Sequence, residues 1–131
     1  MNAARAVELP PRPSLEDYAA IAHLAPSVEA LRERAAAVAP AFRGRTVWMV
    51  NSTAVGGGVA EMLPTMVSLL DELGIRTRWF VIESDDESFF RLTKRLHNLI
   101  HGAGDPALDG GPERATYEAV NAENARALAP L

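Results

Sequence analysis

The chain has 131 residues, 48% of them hydrophobic, with a formal net charge of -4, values that fit one globular domain burying roughly two-thirds of its unfolded surface. Charged residues reach only 23%, a balance that points away from a nucleic-acid surface or an acidic disordered tail and towards a small-molecule partner. Cysteine is absent, which excludes disulfide frameworks and thiolate chemistry, and no apolar run approaches the roughly 20 residues of a membrane span, so a cytoplasmic location without membrane partners is expected.

Residues 1–13 hold Pro10, Pro11 and Pro13 and no periodic apolar pattern, which predicts a flexible N-terminal arm or an extended lead-in. Ser14 followed by Glu16 and Asp17 is a helix start, and Leu15, Tyr18, Ile21 and Ala22 recur at helical spacing. Pro26-Ser27 ends that helix and offers a cap to a second, in which Val28, Leu31, Ala35 and Val38 form one stripe. After a break at Pro40 to Gly44, the run Thr46 to Val50 is continuously apolar and rich in β-formers, the pattern of a parallel strand covered on both faces.

Asn51 to Gly58 then reads as a loop, and Val59, Met62, Leu63, Met66, Leu69, Leu70 and Leu73 carry a helix up to Gly74. Pro64 lies inside it, where a missing amide donor costs about 3 kcal/mol, so a bend or a later start is expected. Arg76 to Ile82 predicts a second strand. Ser84, Asp85, Asp86 and Ser88 offer caps for a helix with Phe89, Leu92, Leu96, Leu99 and Ile100 on one side, closed by Gly102. Residues 104–112 read as a turn-rich connection, and Glu113 to Leu128 as a last helix with Ala115, Tyr117, Val120 and Ala127 among its apolar positions. Trp48 and Trp79 read as core. The order contains a βαβ unit, so the fold class is α/β with helices flanking a short parallel sheet. Two strands among so many helices leave sheet edges unmet, and the sequence reads as a sheet cut short.

A loop between the carboxyl end of a parallel strand and the start of a helix is where open α/β sheets take ligands. Gly56, Gly57 and Gly58 lack Cβ atoms, so a diphosphate or a sugar can approach bare backbone amides there; the plainer alternative is a tight turn and nothing more. The loop lacks the lysine of a P-loop, since Lys94 is the only lysine. Gly56 and Gly58 have the spacing of the first two dinucleotide-binding glycines, with Glu83 as a ribose acid, but Glu61 stands where the third glycine would.

The stretch from Val50-Asn51-Ser52-Thr53 through Gly56-Gly57-Gly58 to Ala60-Glu61-Met62-Leu63 resembles the opening strand and loop of the GT-B glycosyltransferases known as trehalose synthases and trehalose phosphorylases. Trp79 to Ile82 is similar to their second strand, and Phe89-Phe90, Thr93-Lys94, His97-Asn98 and Gly102 to the helix and turn after it. Leu15 to Tyr18 resembles their lead-in, and Tyr117, Asn121 and Asn124 fit their next helix, so the likeness spans about residues 14–128.

The resemblance implies a retaining enzyme that moves glucose from a nucleoside diphosphate glucose to free glucose, forming α,α-trehalose. It places residues 14–131 as part of a Rossmann-like N-terminal, acceptor-side domain, with the catalytic groups in a C-terminal domain, no metal or other cofactor required by the fold, and a homodimer as the full-length form. It implies substrate contacts from the backbone at Gly56, Gly57 and Gly58, and from Asn51, Ser52, Glu61, His97 and Asn98. Other readings remain: a non-catalytic α/β module binding a nucleotide or phosphate, and a dinucleotide-binding oxidoreductase domain.

His97 and His101 share a helix face but lack a third metal ligand. His97 and Asn98 also read as polar residues bonding the next turn. Asp85, Asp86 and Glu87, like Glu61, suit the first turn of a helix through its dipole. Asn51-Ser52-Thr53 matches a glycosylation sequon, which means little without a secretion signal.

Overall fold

A computed structural model describes residues 3–105, 107 and 111–131. Among them the chain is mixed α/β: strand β1 (Arg5–Ala6), helices α1 (Leu15–Ala19) and α2 (Ala25–Val38), a 3-10 turn (Ala39–Phe42), β2 (Val47–Asn51), α3 (Gly58–Glu72), β3 (Thr77–Val81), α4 (Glu87–Ile100) and α5 (Pro112–Leu128). The sheet is open, in the order β1-β3-β2. β2 and β3 run parallel, with Met49 opposite Trp79 and Asn51 opposite Val81, as a strand-helix-strand connection requires. The connection expected over 104–112 lies partly outside the described residues.

The chain divides into two compact units, one of Ala6–Val81 and one of Ile82–Leu131 together with the N-terminal residues up to Arg5. In the first, Ala60, Leu63 and Val67 of α3 meet Trp79 and Val81 of β3, with Val7, Leu9, Met49, Ala54 and Met66 packed around them. α1 opens on a reciprocal capping box: the Asp17 backbone N–H donates to Ser14 Oγ at 3.1 Å and the Ser14 backbone N–H to Asp17 Oδ2 at 2.7 Å, satisfying donors that a helix start leaves open. In the second unit α4 and α5 pack together, with Phe89, Leu92 and Val120 buried and the Phe89 ring stacked 6.1 Å from that of Tyr117.

Several expectations change. Within the lead-in, Val7 N–H donates to Trp79 O at 2.9 Å, so backbone pairing carries a strand that shows no sequence periodicity. α2 begins at Ala25 with Pro26 in its first turn and no side-chain cap; Ser27 is therefore inside the helix, because proline's fixed φ already suits that position. β2 is not covered on both faces: Trp48 and Val50, on the same side, are 38% and 48% exposed, while Met49 on the other side packs against the cluster that α3 builds. Trp48 is thus a half-exposed side chain, its ring 4.7 Å from Phe80. α3 begins at Gly58 and continues through a buried Pro64, so the proline does not delay the start. The α4 stripe stops at Leu92 and Leu96, since Leu99 and Ile100 are exposed, Ile100 at 82%. On α5, Ala115 and Tyr117 are exposed and the buried positions are Val120 and the polar Asn124.

Candidate functional site

β2 ends at Asn51, and the chain turns through Thr53, whose hydroxyl accepts from Val55 N–H at 3.1 Å and donates to Val55 O at 2.6 Å. Gly56 and Gly57 follow with φ of +74° and +82°. Gly57 caps α3 at ψ 149°, a combination open in practice only to glycine. The first bond closing the helix runs from Glu61 N–H to Gly57 O at 3.1 Å. Among the described residues, the N–H groups of Gly56, Gly57, Gly58, Val59 and Ala60 have no hydrogen-bond partner. Val55 to Val59 are exposed and Ala60 is buried, and a Cβ placed on any of the three glycines would meet nothing within 4 Å. The bend is therefore an open cluster of donors at a helix N-terminus, where the backbone dipoles favour negative charge.

Asn51, Ser52, the glycines and Glu61 sit in one unit, along the strand end, the bend and the first turn of α3. Ser52 and Glu61 are exposed. Asn51 is half-buried, and its Oδ1 accepts from Trp79 Nε1–H at 2.7 Å. Sequence reasoning missed this pairing, although the register that sets Met49 beside Trp79 puts Asn51 on the same face of the sheet two residues on.

His97 and Asn98 belong to the other unit, in the last turn of α4, and both are exposed. The His97 and His101 rings stand 4.2 Å apart, with His101 Nδ1 2.8 Å from His97 O. The turn is closed by the Asn98 carbonyl, which accepts from His101 N–H at 3.1 Å and Ala103 N–H at 2.9 Å, so the backbone of Asn98, not its carboxamide, bonds the turn. Among the described residues no three His, Cys, Asp or Glu side chains converge as a metal site, and no helix is long and apolar enough to cross a membrane.

The acids at the start of α4 have structural partners. Asp86 Oδ1 accepts from Ser88 N–H at 2.8 Å, and the bonds from Ser88 hold its carboxyl below the ordinary aspartate value. Glu83, the dinucleotide-type ribose acid of the sequence, is engaged: Arg5 Nε donates to its carboxylate at 2.7 Å. Its backbone is bonded on both sides by the Asn124 carboxamide, at 3.0 Å and 2.9 Å.

A parallel strand running into an open glycine bend and a helix N-terminus is the ligand-binding corner of the doubly wound α/β class. Residues 49–130 match the family described as trehalose synthase, N-terminal domain, and the chain belongs to that family. It is similar to the trehalose synthase of Pyrococcus horikoshii, 41% identical over 112 residues, which are 86% of this chain and 25% of that protein. It is 40% identical over 89 residues to the trehalose synthase of Rubrobacter xylanophilus, 67% of this chain and 20% of that protein. A more distant likeness, 37% over 71 residues, links it to the trehalose phosphorylase of Grifola frondosa, covering 54% of this chain and 9% of that protein. The chain spans about a quarter of the length of the Pyrococcus horikoshii and Thermococcus litoralis trehalose synthases.

Proposed function

We propose that this chain acts as the N-terminal, acceptor-side part of a retaining glycosyltransferase that moves glucose from a nucleoside diphosphate glucose to free glucose, forming α,α-trehalose. The observation that carries the reading is the row of unpartnered N–H groups from Gly56 to Ala60 at the mouth of α3. In the transfer, the bond from the anomeric carbon to the diphosphate oxygen breaks while a bond to the acceptor hydroxyl forms, and the acceptor proton leaves to the departing phosphate. Negative charge grows on the leaving group, and fixed amide donors that need no rearrangement stabilise it in the transition state. A phosphorylase would place a phosphate leaving group at the same donors. The oxidoreductase alternative lacks support, since Glu61 occupies the position that close helix-to-strand packing needs as glycine, and Arg5 already pairs with Glu83.

The test is a chimera in which this chain replaces the matching segment of the Pyrococcus horikoshii trehalose synthase. The chimera is assayed for trehalose from glucose with uridine, adenosine or guanosine diphosphate glucose, and with glucose 1-phosphate. It should form trehalose with at least one of these donors. Gly57→Ala should lower its kcat/KM by roughly 10-fold or more, because a strained bend costing about 1–3 kcal/mol misaligns the donors. A folded chimera with no turnover overturns the proposal.

A further inference from the structure

We infer that Trp79 is a positioning residue for ligand binding at this corner: its indole N–H locks the Asn51 carboxamide so that the amide NH2 serves as a fixed donor to a ligand oxygen. The inference rests on the functional reading above and adds to it a side chain that acts from the core.

The geometry allows one assignment of the amide. An indole N–H only donates, so the atom facing it at 2.7 Å must be the Asn51 carbonyl oxygen, and Nδ2, in the same carboxamide plane, must point away from the indole. Trp79 is 3% exposed and packed among Ala60, Leu63, Val67 and Val81, so it has little freedom to turn away. Asn51, by contrast, is half-buried and ends β2 five residues before Gly56. Nδ2 has no partner among the described residues, and no buried side-chain donor there is left unsatisfied. The carboxamide thus spends its acceptor on the core and keeps both donors. A sugar hydroxyl and a phosphate oxygen are the two acceptors that such an NH2 takes, and the reaction proposed above brings both.

The chain contains only two tryptophans, so nitrogen-labelled protein gives two indole resonances, and Trp48 is the half-exposed one. The Trp79 N–H should exchange with solvent much more slowly than that of Trp48. Asn51→Ala should narrow the difference, while Asn51→Asp should keep it, because a carboxylate still accepts the bond. In Trp79→Phe the two Asn51 Nδ2 protons should move to the positions of a solvated amide, a change that loss of packing alone does not produce.

Binding is then read with two probes, glucose and inorganic phosphate, through the amide resonances of the glycine bend. The probe that Asn51 contacts should bind about fivefold more weakly to Trp79→Phe, the effect expected for one net hydrogen bond. For glucose, Asn51→Asp should lose the same factor while the indole bond persists. Equal exchange of the two indoles in the wild type, or unchanged affinity for both probes in a folded Trp79→Phe, overturns the inference and leaves the glycosyltransferase reading standing. Should Trp79→Phe fail to fold, the alanine and aspartate variants decide, and unchanged affinity for both probes in both variants overturns it. A wild-type bend that responds to neither probe nor to a nucleoside diphosphate glucose removes the functional reading, and this inference with it.

Discussion

Asn124 does with one side chain what a neighbouring strand does with its backbone. Its Oδ1 accepts from Glu83 N–H, and its Nδ2 donates to Glu83 O and to Val120 O, all within 3.0 Å. The residue is 3% exposed, so removing the carboxamide strands two polar groups of Glu83 where water reaches them poorly. Asn124→Leu, which keeps the volume, should therefore lower stability by about 2–3 kcal/mol, read from the urea midpoint. A loss below roughly 0.5 kcal/mol would mean that solvent already serves those groups. Nothing in the sequence marks Asn124 for this role: a polar residue on a helix is expected outside, and only the tertiary position of Glu83 turns it inward. Trp79 was half legible, since its burial follows from its strand but the partner of its N–H depends on strand register.

At the scale of elements, the helices and both longer strands follow from apolar spacing and capping residues. Ser14 and Asp17 show this best, because a capping box is a local arrangement written in four consecutive positions. β1 was illegible because two residues carry no period, and only pairing with β3 makes them a strand. Exposure also escaped: the apolar run of β2 looks the same in an edge strand as in a central one, and Ile100 looks like core until the last turn of α4 is placed.

The connection after α4 offers a test through pH. Arg95 donates to Asp105 from Nε at 2.6 Å and from Nη2 at 3.2 Å, with Glu113 3.4 Å from its Nη1. The bond from Arg95 holds the Asp105 carboxyl below its ordinary value. A carboxyl depressed on folding contributes stability that is present above its unfolded value, near 3.9, and is lost as pH falls through the lower folded value. Asp105→Asn should therefore make the decline of stability below about pH 4 shallower than in the wild type, measured as urea midpoints across the acid range. Superimposable acid limbs would contradict the pairing.

At the scale of the whole molecule, family membership and the candidate site rest on different ground. The match over residues 49–130 takes in the end of β2, the bend, α3, β3, α4 and α5, whereas the proposed chemistry rests on the bend itself, where φ values and unpartnered amides matter more than side-chain identity. In the sequence, the strand and its three glycines raise the expectation of a ligand corner. The openness of that bend is a property of the folded chain alone: a Cβ on any of the three glycines would meet nothing within 4 Å, and the first helical carbonyl-to-amide bond begins only at Glu61.

A backbone amide titration of this chain with uridine, adenosine or guanosine diphosphate glucose tests the role of those five donors directly. The N–H resonances of Gly56 to Ala60 should be unprotected from exchange in the free protein, then shift and gain protection as one of these donors is added. Protected amides in the free chain, or amides that stay unmoved at saturating concentrations of all three, would contradict it.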